Sequence, residues 1–165
     1  MTLFDMKYGP GQFAQKSGHT PETLRDWRRR GLDIGIGVSI SGQKTYCDYD
    51  LLEMYLHSQL RIAAFDSVKE AFKAARSLAP PIAKRLGYSL SGIHGSTTFG
   101  AFSRKYALAS FSQPNLVFTD DVNDFMERDL MASAMKPACK LYDLVELTEM
   151  VRGWAKENLP AASAG

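Results

Sequence analysis

Apolar residues are sparse and paired at the front of the chain. Phe13 and Ala14 stand in one short polar run, Leu24 and Trp27 in the next, and Gly18 separates the two. This spacing predicts a short helix from Gln12 to Ser17, ended at Gly18, where a positive φ is easily adopted. A second helix follows, with Thr20 as its cap, Pro21 in its first turn and Gly31 as its stop. Two short helices joined by a tight glycine turn make a helix-turn-helix. From Asp33 to Asp48 the pattern changes to two short β segments around a glycine-bearing loop, which reads as a wing.

Further on, Leu52, Tyr55, Leu56 and Leu60 recur at three- and four-residue steps. They predict one long helix over residues 50–79, capped by Asp50 with Glu53 in capping-box spacing and closed by Pro80 and Pro81, with a possible break near Ser67. Its apolar stripe is either core within one chain or a dimer seam. Residues 88–158 read as a mixed unit. Thr97–Phe102, Tyr106–Phe111, Asn115–Phe118 and Cys139–Tyr142 suit short strands, and a helix from Thr119-Asp120 through Phe125, Met126 and Leu130 is ended by Pro137. Asp143 caps a last helix carrying Leu144, Leu147, Val151 and Trp154 on one face. The fold class expected is α+β, mainly helical. Its parts are a winged helix-turn-helix over 7–57, a connecting and dimerising helix over 50–79, and a small C-terminal α+β domain over 88–158.

On a wheel of about 100° per residue, the second helix places Leu24 and Trp27 on one side and Glu22, Arg25, Asp26 and Arg29 on the other. Arg28 and Arg30 flank the apolar stripe. The outward face therefore suits a major groove, with Arg25 and Arg29 placed for guanine or phosphate contacts. The helix N-terminus, from His19 through Thr20 to Thr23, favours a phosphate. In the wing, Gln43 and Lys44 can reach phosphate, while Tyr46 either packs inward or touches the DNA backbone. The expected DNA-binding residues are His19, Thr20, Glu22, Thr23, Arg25, Asp26, Arg28, Arg29, Lys44 and Tyr46. The competing reading is a solvated helix laced with ion pairs, since Asp26 and Arg30 are at i,i+4 and Glu22 and Arg25 at i,i+3.

Charge sharpens this picture. The net charge is +2, but residues 1–119 hold 15 Lys+Arg against 9 Asp+Glu (+6), and residues 120–165 hold 5 against 9 (−4). A basic front with an acidic rear suits a protein that shows one end to a polyanion. The two cysteines, Cys47 and Cys139, and the histidines His19, His57 and His94 have no metal-ligand spacing, so neither metal nor cofactor is expected. Free thiols, the lack of a leader segment and the lack of an apolar run of about 20 residues point to a cytoplasmic, nucleoid-associated protein away from membranes. For catalysis, Gly92–Gly100 is the one candidate loop, and it lacks the Gly-Lys-Ser/Thr ending of a phosphate loop. Asp120, Asp121 and Asp124 suit a helix N-terminus better than a cation site. No enzymatic activity is expected.

The run Thr20 to Leu32, with the wing ending Gly42-Gln43-Lys44-Thr45-Tyr46-Cys47-Asp48-Tyr49-Asp50, resembles the winged helix-turn-helix of MerR-type transcription regulators. The resemblance covers residues 9–57 and rests on Thr23, Leu24, Arg25, Gly31, Leu32, Lys44, Tyr46 and Asp50. It implies that Arg25, Arg29 and Lys44 contact DNA. Asp26-Trp27 stand where that family often carries two tyrosines, and the cysteine set of its metal-sensing members is absent. The same module also resembles phage terminase small subunits and excisionase-like proteins, so the alternative role is DNA packaging or architectural bending. A regulator binding double-stranded DNA as a homodimer is the expectation. An effector or protein partner would then be met by the C-terminal domain.

Overall fold

The computed structural model describes residues 3–32, 35, 38–40, 42–63, 67–90, 103–110, 116–123 and 139–162. Along the chain run α1 (Pro10–Lys16), α2 (Pro21–Arg29), β1 (Val38–Ile40), β2 (Gln43–Thr45), α3 (Asp48–Ala63), α4 (Val68–Arg85), β3 (Tyr106–Ser110), β4 (Val117–Thr119), β5 (Cys139–Asp143) and α5 (Leu144–Asn158). Strands β1 and β2 form an antiparallel hairpin with Val38 opposite Thr45. The second sheet has the order β4-β3-β5 and is antiparallel throughout, with Ala107 opposite both Phe118 and Tyr142. The expected strand over Thr97–Phe102, the loop Gly92–Gly100 and most of the helix after Asp120 lie outside the described residues. Among the described residues no helix is long and apolar enough to cross a membrane.

The long helix expected over 50–79 is two helices. Ser67 caps the second: its hydroxyl accepts from the Glu70 N–H at 3.5 Å. Helices α3 and α4 then pack on each other through Leu52, Leu56 and Leu60 on one side and Ala71, Ala74, Ala75 and Leu78 on the other, all buried. The small alanines allow close approach, and the stripe that offered a dimer seam is used within the chain.

Pro80 and Pro81 do not close the helix. They sit inside α4, which continues to Arg85. Each proline removes one backbone donor. Leu78, Ala79, Ile82 and Ala83 are all buried around them, and that packing offsets the lost bonds. The helix ends instead at Gly87, with φ 90°, where the N–H groups of Gly87 and Tyr88 return to the carbonyls of Lys84 and Ala83.

Asp50 is likewise not the cap of α3, which begins two residues earlier. It stands in the first turn, and its carboxylate reaches back to the Cys47 N–H at 2.9 Å, the return half of a capping box. Burial and the adjacent Asp50 push the Cys47 thiol up to about 12, so it stays protonated and unreactive.

Among the described residues two apolar clusters result. The smaller lies under the N-terminal helices and holds Phe13, Ala14, Leu24, Tyr46, Leu51 and Met54. The larger joins α3 and α4 to Ala107 of β3, Tyr142 of β5 and Leu144, Val151 and Ala155 of α5. Asp143 caps α5 as expected, accepting from the N–H groups of Val145 and Glu146 at 2.8 and 3.1 Å. Asp120 instead ties β3 to β4: its carboxylate accepts from the Lys105 N–H and from Arg104, both at 2.8 Å, which holds it below the usual carboxylate range.

Candidate nucleic-acid interface

Helix α2 is held by its ends and by one face. At its start the Thr20 hydroxyl accepts from the Thr23 N–H at 3.1 Å. Both glycine stops are formed by the same backbone device. After α1, Gly18 takes φ 72°, and the N–H groups of Gly18 and His19 bond the carbonyls of Gln15 and Ala14 at 3.2 and 2.9 Å. After α2, Gly31 takes φ 71°, and Gly31 and Leu32 bond Arg28 and Trp27, both at 3.0 Å. Each is a Schellman closure, which needs a left-handed residue at that point.

The inner face of α2 is Leu24, fully buried, and Trp27, half-buried. Burying the leucine contributes roughly 2 kcal/mol. Trp27 meets three rings edge-on: His19 from the turn at 5.1 Å, His57 of α3 at 5.2 Å and Phe72 of α4 at 5.3 Å. His57 lies flat against Phe72 at 3.8 Å, and both its ring nitrogens are buried without a hydrogen-bond partner. Burial holds its pKa down at about 4, so the ring is neutral. This aromatic seat fixes the rotation of α2 about its own axis.

The outer face carries Glu22, Arg25 and Arg29, all exposed, and Asp26, half-exposed. Arg25 Nη2 pairs with Glu22 Oε1 at 2.8 Å, and Arg30 Nη2 with Asp26 Oδ2 at 2.8 Å. The ion pairs expected at i,i+3 and i,i+4 are formed, and they leave the outer face of α2 open to solvent. Exposed pairs of this kind are worth about 0.5 kcal/mol and are readily exchanged for other contacts. Arg29 has no such partner among the described residues.

The expected site residues fall into two groups. Thr20, Glu22, Thr23, Arg25, Asp26 and Arg29 lie on the first turn or the outward face of α2. His19, Arg28 and Tyr46 are turned partly or wholly inward. His19 turns its ring to Trp27, and its Nδ1 is buried. Arg28 is half-buried, its guanidinium 5.9 Å from the centre of the Tyr46 ring. Tyr46 is fully buried and stacks on Phe13 at 4.0 Å with the planes 8° apart. Of the two roles open to Tyr46, the inward one holds. A ring in the core cannot reach a phosphate, so Tyr46 leaves the list of direct contacts. Lys44 is half-buried with Nζ 5.9 Å from the Tyr46 ring centre. The hairpin and α2 thus bring two cations to one aromatic ring.

Other residues support this surface without a clear linear signal. Tyr8 bridges to Tyr46 through backbone bonds of 2.8 and 3.0 Å, and its hydroxyl donates to Asp48 at 2.5 Å. Lys7 pairs with the same buried carboxylate. Burial and that hydrogen bond push the Tyr8 phenol up to about 12. His57 was visible only as a residue three after Met54 and three before Leu60, within the buried stripe.

A helix-turn-helix with an outward basic helix, followed by a hairpin, defines a DNA-binding module. Residues 8–73 match the family model described as MerR HTH family regulatory protein. The N-terminal region of this chain is a MerR-type helix-turn-helix. No curated protein matches the chain.

Proposed function

We propose that the protein regulates transcription by binding specific double-stranded DNA as a homodimer, with α2 in the major groove and the β1–β2 hairpin on the phosphate backbone. The observation that carries this reading is the division of α2: Leu24 and Trp27 are held by the protein, while Arg25 and Arg29 are exposed. One such module covers too little DNA for tight binding. Two copies reading half-sites about 34–36 Å apart, or a multiple of that, supply affinity and selectivity. The protein acts by binding, without catalysis or a cofactor, on cytoplasmic DNA. The C-terminal elements, which share a core with α3 and α4, are the place where a partner or effector acts.

Genome-wide mapping of bound sites, with light scattering of the free protein, tests this. Peaks at promoters and a dimeric mass are expected. A single bound locus beside packaging genes with a ring-like oligomer would contradict it, as would binding without any sequence preference.

A further inference from the structure

We infer that Glu22 determines base specificity: its carboxylate accepts a hydrogen bond from the N4 amino group of a cytosine in the base pair next to the guanine that Arg25 contacts. This rests on the reading of α2 as the groove-entering helix. Glu22 is the second residue of α2, and its side chain is 73% exposed on the face that carries Arg25 and Arg29. A carboxylate brought that close to a duplex is repelled by the phosphates on every sequence. That repulsion is offset where a base edge donates to it.

The major groove offers two such donors, cytosine N4 and adenine N6. Beside adenine N6 stands the N7 acceptor, which repels a carboxylate. Beside cytosine N4 there is no acceptor on the same base. Cytosine is therefore the favoured partner.

The geometry of the free protein already groups the two readers. Arg25 Nη2 donates to Glu22 Oε1 at 2.8 Å, and Arg25 Nε donates to the Pro21 carbonyl at 3.4 Å. These bonds use two of the five guanidinium hydrogens. Three guanidinium hydrogens remain to donate to guanine O6 and N7. Glu22 Oε2 is left to accept. Stacked base pairs are about 3.4 Å apart, the scale of the Arg25–Glu22 pair itself, so the guanine and a cytosine of the neighbouring pair can be met together by the two side chains. A first-turn carboxylate also suits the helix dipole, but that role carries no base preference.

Selection from randomised duplexes, followed by titration of the selected sites, tests the assignment with the wild type, Glu22→Gln and Arg25→Ala. The wild type should select a motif with a fixed C·G position. Glu22→Gln should keep the guanine preference and admit adenine in place of cytosine, because a glutamine both donates and accepts. The cytosine-over-adenine preference should fall about tenfold, while affinity for unselected DNA rises. Arg25→Ala should lose the guanine instead. An unchanged motif in Glu22→Gln, bound more tightly throughout, would overturn the inference and leave DNA reading by α2 intact. So would a loss confined to the guanine, which would make Glu22 a positioning residue for Arg25. A wild type that enriches no motif would overturn both.

Discussion

Trp154 of α5 lies almost parallel to Tyr55 of α3, with ring centres 4.4 Å apart and planes 8° from parallel. Trp154 also packs against both apolar clusters, the one under α1 and α2 and the one that holds the C-terminal strands. The last helix of the chain is thereby part of the frame on which α2 rests. A change in the C-terminal elements has a direct packing route to the cluster under α2.

Trp154→Ala removes that link. It should lower stability by about 3 kcal/mol, in the range for large aromatic losses. Because the two clusters share this ring, the N-terminal and C-terminal parts of the wild type should unfold in one transition. Tryptophan fluorescence and far-ultraviolet dichroism, followed through the same urea titration, should give coincident midpoints. Separate midpoints in the wild type would show that the parts are independent.

Gly18 and Gly31 hold φ values of 72° and 71° with open space where a Cβ would stand. Alanine at either place meets no neighbour, so its cost is backbone strain alone. Gly18→Ala and Gly31→Ala should each destabilise by about 1–2 kcal/mol. Urea midpoints check this, and a loss beyond that range would mean that the turn also holds packing not described above.

His57 gives the protein a pH dependence of known sign. Its pKa falls from the ordinary 6.5 to about 4 on folding, because burial penalises the charged ring and His19 and Arg61 face it. The neutral form is the folded form. Its stabilising share is complete above pH 6.5 and is lost as the pH falls from 6.5 towards 4, by about 3 kcal/mol in all. His57→Phe keeps the stack on Phe72 and should flatten this part of the stability curve, measured as urea midpoints from pH 7 to pH 4. An equal slope in the variant would assign the acid sensitivity to other groups.

Much of the DNA-reading module was legible because its determinants are local. Thr20, Pro21, Gly18 and Gly31 act on residues within one turn of themselves, and the structure has each in the expected role. The Asp143 cap of α5 was legible for the same reason. What the linear pattern hid depends on tertiary contact. Pro80 and Pro81 look like stops, yet buried neighbours on both sides keep α4 continuous. The start of α4 is set by the Ser67 cap, and α4 then packs back on α3. Tyr46 and Arg28 looked equally fit for DNA until the fold stacked the ring on Phe13 and laid the guanidinium over it. His57 carried no linear mark because its role is the far side of Trp27.

Arg29 is the side chain on which the central claim turns, since it is exposed on α2 and no carboxylate among the described residues neutralises it. Titration of the selected duplex by fluorescence anisotropy, with the wild type and Arg29→Ala compared at several salt concentrations, measures its part directly. A groove or phosphate contact predicts weaker binding by about 1–3 kcal/mol in the folded variant; if Arg29 meets a phosphate, the salt slope is also shallower by about one. Equal affinity and an equal salt slope for the two proteins would contradict the account.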